Sequence, residues 1–303
     1  MAYLQFLGAA GTVTGSKHLI NTSEDGAGKQ GLQVLVDCGM FQGQKEWRLK
    51  NWTDIPVPAR EIDAVILTHA HLDHCGWIPR LVKEGFNGTI YATPPTIDLC
   101  GVILPDSGHL QEEEARFHNQ KGTSKHIPAL PLYTREEAEE SLGRFHPVEF
   151  GEIRQLSPEL SFRFVRAGHI LGSSMAEVVL RQNGAACKIL FTGDIGRVPA
   201  KQQAPGKVVH AGPEPDEDPQ LLVMESTYGN RVHPGDDVRP ELARLVTDTV
   251  RRGGSVVVPA FAVERTQKFL FMLKELMEDG AIPRTPVFVD SPMGIKAVEI
   301  CMK

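Results

Sequence analysis

Apolar residues along this chain fall into short runs, and several of those runs end in residues that can hold a metal. Ala64-Val65-Ile66-Leu67 is continuously apolar, the pattern of a strand buried on both faces of a parallel sheet, and it leads into His69-Ala70-His71-Leu72-Asp73-His74. Val34-Leu35-Val36 leads into Asp37-Cys38-Gly39. Ser161 to Arg166 alternates and runs into Ala167-Gly168-His169, and Lys188-Ile189-Leu190-Phe191 runs into Thr192-Gly193-Asp194. Open α/β sheets keep their ligand sites beyond the carboxyl ends of the strands, so these endings are expected to share one cleft.

The same pattern gives a layout. Residues 1–60 read as strands and hairpins, with a loop over Ser23 to Gly28. Residues 61–100 read as strand, ligand-rich loop, helix, strand and the start of a helix. Two charge-rich helical stretches fill 105–145, separated by a loop over 121–131. Residues 150–195 read as strands, and 199–219, rich in Pro, Gly and acid, as a passage to a second region. From 221 the expected order is strand, helix (238–252), strand, helix (263–278), strand (287–290), a parallel α/β arrangement.

The chemistry at the strand ends suits a transition metal. His69 and His71 lie two apart, so on extended backbone they point the same way. With His169 they supply three imidazoles for one ion and leave a position open for water. Asp73 and His74 enter the following turn or helix and can face a second ion. Asp194 fits as a bridge, because each carboxylate oxygen can serve one ion. Asp37 is expected to orient a ligand histidine. Blander readings compete: a His-rich polar loop, a loop histidine at 169, and turn-capping aspartates at 37 and 194.

Taken together, His69-x-His71-x-Asp73-His74 with His169 and Asp194 resembles the metallo-β-lactamase superfamily. The resemblance implies an αββα sandwich with one or two zinc ions (Zn2+), and it leaves the reaction open. Further segments resemble the β-CASP branch, whose members process nucleic acids: Pro105 to Glu113, Gly168 to Ser174, Leu221 to Gly229, Val256 to Gln267 and Val287 to Met293. In that branch an acidic residue matching Glu225 opens a cap domain and orients a general-acid histidine. The fold expected is thus α/β, with a metallo-β-lactamase domain over 1–205 and the beginning of a cap over 206–303.

Members of the branch carry that histidine, and one more for the second metal site, further along than Lys303. Here no histidine follows His233, and His233 matches neither position. The expectation is therefore an N-terminal portion, a split gene product or a truncated form, with an incomplete second site and an unpaired sheet edge that lowers solubility.

Composition changes little. Apolar residues make up 41% and charged residues 23%, ordinary globular usage. No run approaches the roughly 18 apolar residues of a membrane span, and the first residues lack a basic start, so no membrane partner is expected. Five cysteines without CxxC spacing point to reduced thiols and a cytoplasmic setting. The net charge of −6 is partly held in the acidic run over 213–219. Arg231, Arg239, Arg244, Arg251, Arg252 and Arg265 gather near the start of the cap, where a phosphate track or a plain solvated surface would fit.

The expected function is zinc-dependent hydrolysis of RNA phosphodiester bonds by metal-activated hydroxide, endonucleolytic or 5′-exonucleolytic, on single-stranded RNA, with a homodimer as one assembly. Asp73, Asp37 and Glu225 form the expected catalytic machinery, and Ser291 is a candidate substrate contact. Two other classes stay open. One is a small-molecule hydrolase of the same fold, such as a thioesterase. The other is a non-catalytic fragment or binding subunit.

Overall fold

The computed structural model describes residues 2–22, 31–182, 184–196, 219–232 and 237–302. The Ser23–Gly28 loop, His233, the acidic run apart from Pro219, and the boundary expected at 205/206 lie outside the described residues. The chain divides into two compact units, Met1–Thr227 and Tyr228–Lys303.

In the first unit, one sheet runs in spatial order through β1 (Tyr3–Phe6), β2 (His18–Asn21), β3 (Gln33–Val36), β4 (Ala64–Ile66), β5 (Thr89–Ala92) and β6 (Phe145–Pro147). The hairpin strands β1 to β3 are antiparallel, while β3 to β6 are parallel, as the continuous apolar run in β4 predicts. The second sheet contains β7 (Arg154–Gln155), β8 (Leu160–Arg166), β9 (Ser174–Gln182), β10 (Ala185–Phe191) and β11 (Leu221–Val223). Here β11 pairs parallel to β10, and the other pairs are antiparallel.

The sheets face each other through one core. Ile20, Val34, Val36, Ala64 and Ile66 of the first meet Leu160, Phe162, Phe164, Val178 and Phe191 of the second. Alternation in β8 causes this: Leu160, Phe162 and Phe164 point inward together. Each such fully buried side chain contributes about 1.5–3 kcal/mol.

Helices α1 (Lys45–Leu49), α2 (Leu72–Cys75), α3 (Ile78–Lys83), α4 (Pro94–Lys121) and α5 (Arg135–Ser141) complete this unit. Thr134 caps α5 by accepting from the Glu137 amide at 3.1 Å while Glu137 accepts from the Thr134 amide at 2.9 Å. Among the described residues, no helix is long and apolar enough to cross a membrane.

The second unit holds α6 (Arg239–Arg251), α7 (Arg265–Glu278) and α8 (Pro292–Cys301), around a small core of Val246, Leu273, Leu276 and Ile282. The strands expected near 256–259 and 287–290 form no ladder among the described residues, so the parallel sheet expected there is absent from them. β-Branched content favours extended backbone, but a strand needs a partner edge, and here Val257 and Phe288 lie exposed instead.

Candidate metal centre

Both sheets deliver residues to the same edge. Strands β3 and β4 are parallel neighbours in the register Val36↔Ile66, so Asp37 and Thr68-His69 emerge side by side. Strands β8 and β10 both run antiparallel to β9, so His169 and Asp194 leave the second sheet at one end. The carbonyl of Thr68 ties the sheets together by accepting from the Ser174 amide at 2.9 Å and the Ser174 hydroxyl at 3.0 Å. The Gly196 amide donates to the Ala167 carbonyl at 2.9 Å and joins the loops that carry Asp194 and His169.

Ligand-capable atoms of His69, His71, His169 and Asp194 gather within 4.8 Å of one another. His71 Nδ1 lies 3.2 Å from His69 Nε2 and 3.2 Å from His169 Nε2. Asp194 Oδ2 lies 3.3 Å from His169 Nε2 and 3.8 Å from His69 Nε2. One ring nitrogen cannot serve both neighbours well as a hydrogen-bond partner. Ligands around a tetrahedral ion with bonds of about 2.0–2.1 Å stand about 3.3–3.4 Å apart, and the spacing here fits that arrangement. The donor set therefore suits a zinc-like divalent ion.

A second group adjoins the first. Asp194 Oδ1 lies 3.2 Å from His74 Nε2, and Asp73 Oδ2 lies 3.9 Å from the same nitrogen. The two oxygens of Asp194 thus face different histidines. His74 Nδ1 meets Asp37 Oδ2 at 2.7 Å, and the second oxygen of Asp37 accepts from the Thr68 amide at 2.8 Å. Asp37 sits at φ +60, a left-handed conformation rare for a non-glycine residue, held by these contacts.

Backbone hydrogen bonds also hold the turn carrying Asp73 and His74. The Ser16 amide donates to the Asp73 carbonyl at 2.8 Å, the Cys38 amide to the His74 carbonyl at 2.7 Å, and the Gly39 amide to the Ser16 carbonyl at 2.8 Å. Glycine is required at 39, where a Cβ would stand 1.6 Å from the Asp73 carbonyl oxygen. Beneath this knot Lys17 is buried, donates to the Gly39 carbonyl and lies over the rings of Phe41 and Trp77 at 4.9 and 5.2 Å. Burial lowers its pKa to about 8.

The electrostatics divide the cluster. Burial holds His69 well below the usual imidazole range, and His74, His71 and His169 push the same way, so its lone pairs stay available. Burial also opposes a charge on His74, but Asp37 and Asp194 outweigh it and raise His74 well above the ordinary range. Burial alone would raise Asp194, yet its bond to His74 and the surrounding imidazoles bring it down to about 2. Asp73 moves up, chiefly through burial.

The remaining expected residues fall in different places. Glu225 is half-buried beyond β11; its Oε1 accepts from the Ile195 amide at 2.8 Å, next to Asp194, and its own amide donates to Thr192 Oγ1 at 3.3 Å. Ser291 belongs to the second unit, where its hydroxyl caps α8 by accepting from the Gly294 amide at 3.0 Å. Of the arginines, Arg239 pairs with Asp237 at 3.1 Å and Arg244 with Asp248 at 3.6 Å, exposed contacts worth little. Sequence reasoning missed Ser16, Lys17, His18 and Thr68. Only Thr68, adjacent to His69 at a strand end, carried a signal.

Comparisons with known proteins address the family and the fold. Residues 29–235 match the family model described as the metallo-beta-lactamase superfamily. Ribonuclease TTHA0252 of Thermus thermophilus is 36% identical over 296 residues, 97% of this chain and 59% of that protein. Transcription termination factor FttA of Methanosarcina mazei is 32% identical over 289 residues, 94% of this chain and 41% of that protein. The chain spans about half the length of these curated relatives. A crystal structure of a protein of unknown function from Enterococcus faecalis shares the fold at a TM-score of 0.52 and 16% identity, over 98% of this chain and 67% of that one. The alignments with the curated relatives run on through the stretch beyond Glu225, and the β-CASP resemblance read from the sequence is borne out. A family match over residues 29–235, on paired sheets of this topology, makes the chain a member of the metallo-β-lactamase superfamily.

Proposed function

We propose that this chain carries the catalytic centre of a zinc-dependent ribonuclease that hydrolyses phosphodiester bonds of single-stranded RNA. The observation that carries the reading is the placement of Asp194, with one oxygen toward His169 and the other toward His74. The donor set supports metal-assisted hydrolysis, and relatives named as a ribonuclease and a transcription termination factor support RNA as the substrate. This reading keeps the expected hydrolase domain over 1–205 followed by a cap over 206–303, with one adjustment: β11 pairs with β10 and so belongs to the hydrolase sheet, within the unit that runs to Thr227.

Zinc, when bound, supplies Lewis acidity at the phosphate and makes a water nucleophile easier to deprotonate. The chain's own residues do the positioning. His69, His71 and His169 would hold one ion with Asp194, and Asp73 and His74 would face a second. Asp37 fixes the ring of His74 through Nδ1 and so aims Nε2 at the centre. Glu225 anchors the backbone beside Asp194 through the Ile195 amide.

End-labelled single-stranded RNA, DNA of the same sequence and a thioester are incubated with zinc-loaded chain, beside Asp73→Ala. The expected result is cutting of RNA that disappears with chelator and in Asp73→Ala. Thioester hydrolysis with intact RNA would overturn the reading.

A further inference from the structure

The three-histidine group is assembled from both sheets. His69 and His71 follow β4 of the first, and His169 follows β8 of the second. His69 and His74 each have a partner behind the ring: Thr68 Oγ1 lies 3.0 Å from His69 Nδ1, and Asp37 Oδ2 lies 2.7 Å from His74 Nδ1. His169 has no such partner among the described residues. Its ring-nitrogen contacts run through Nε2, to His71 at 3.2 Å and to Asp194 at 3.3 Å. The aim of this ring therefore depends on the backbone that carries it.

That backbone is a short loop between β8 and β9. Ser173 closes it from within, its hydroxyl oxygen accepting from the His169 and Ile170 amides at 2.9 and 3.1 Å. The residue before it is anchored from outside. The Gly172 carbonyl accepts from the hydroxyls of Thr93 at 2.6 Å and Thr96 at 3.0 Å. A carbonyl oxygen has two lone pairs and each hydroxyl one proton, so the two bonds are compatible. Both threonines are fully buried at the start of α4, directly after β5.

Thr93 gives up its usual local role to do this. It stands at the N-cap of α4, where a threonine oxygen ordinarily accepts from an amide two or three residues on. Among the described residues it makes no such bond. Pro95, two residues on, has no amide to offer, and the Thr93 hydroxyl turns to Gly172 instead. The loop is also pressed against this first turn. Gly172 has φ +77, and a Cβ there would stand 2.6 Å from the Thr96 amide nitrogen.

We infer that Thr93 and Thr96 are positioning residues for the metal centre: through the Gly172 carbonyl they fix the loop that aims His169 Nε2 at the ion shared with His69 and His71. The inference rests on reading that cluster as a metal site and is independent of the substrate. Strand β5 lies beside β4, so the anchor sets His169 against the same sheet that carries His69 and His71. A buried carbonyl deprived of both donors loses the contacts that hold it in place. The bond between His74 and Asp37 involves neither threonine, so the position facing His74 serves as an internal control.

The test is zinc titration of the metal-stripped chain against a chromophoric chelator, with His169→Ala marking which binding event needs the three histidines. The variants are Thr93→Val and Thr96→Val, singly and together, which remove hydroxyls at nearly constant volume, and the matching serine substitutions, which keep them. The single variants keep the test usable if the double one misfolds. The valine variants should weaken the event that needs His169 by at least about tenfold, the lower end for a residue acting behind a metal ligand, and leave the other event unchanged. The serine variants should retain parental affinity. With cobalt in place of zinc, the visible absorption lost in His169→Ala should change in the valine variants and persist in the serine ones. Unchanged affinity in every valine variant, an equal loss at both events, or serine variants as weak as valine would overturn the positioning role while leaving the metal centre intact. If the parent binds no zinc, or His169→Ala weakens no event, the metal reading falls and the inference with it.

Discussion

His74 meets Asp37 through Nδ1 at 2.7 Å, and this single contact decides which nitrogen His74 offers to the metal centre. With Nδ1 occupied, Nε2 faces Asp194 at 3.2 Å. Asp37→Asn keeps an acceptor for the Thr68 amide but removes the charge that steadies the ring. We expect affinity for the ion facing His74 to fall about 10–100-fold, with smaller loss at the three-histidine group. Competition with a chromophoric chelator reads both; equal affinity in the variant would contradict the role.

Proton release gives a second prediction. Asp37 and Asp194 keep His74 protonated at neutral pH in the metal-free chain, against the effect of burial. An ion can use Nε2 only after that proton leaves. Binding at this position should release one proton and strengthen about tenfold per pH unit while the pH stays below the folded-state pKa of His74. Calorimetry in buffers of different ionisation enthalpy counts the proton, and buffer-independent heats would refute the prediction.

The same shifts set the acid and alkaline limits of the metal-free fold. The folded-state pKa of His74 is raised, so its stabilisation is complete below about pH 6.5 and fades as pH rises through the folded value. Asp194 is the mirror case: lowered from 3.8 to about 2, it contributes above its unfolded value and loses that contribution as pH falls toward 2. Urea melts of Asp194→Asn and the parent chain should differ at pH 6 and converge near pH 2. A constant gap would argue against the linkage.

Backbone contact makes the fourth prediction. Gly39→Ala would place a Cβ 1.6 Å from the Asp73 carbonyl oxygen and 2.7 Å from the His74 amide nitrogen. Relief requires moving the turn that carries two candidate ligands. The substitution should cost at least the ~1–3 kcal/mol of an overpacked core and weaken metal uptake. An unchanged melting temperature would show that the knot of residues 16, 39 and 73 is looser than its hydrogen bonds imply.

Much of this centre is legible in the sequence because each contributing strand ends close to a ligand. His69, His169 and Asp194 each stand three positions past the last residue of β4, β8 or β10, and Asp37 directly follows β3. Ser16, Lys17 and His18 escaped notice because they act through backbone and side-chain contacts with segments far along the chain, such as Ser16 with Asp73. Periodicity carries no trace of those. The runs at 256–259 and 287–290 show the opposite failure. Their residues favour strands, but a strand is made by its neighbour. Ser291 had a local explanation throughout, as the cap of α8.

Zinc titration of the metal-stripped chain tests most directly the claim that one carboxylate serves two ions. Four proteins are compared: the parent, His169→Ala, His74→Ala and Asp194→Asn. The account predicts that His169→Ala weakens one binding event, His74→Ala the other, and Asp194→Asn both. If Asp194→Asn weakens only one event, or neither, Asp194 does not join two ions and the proposed centre is wrong.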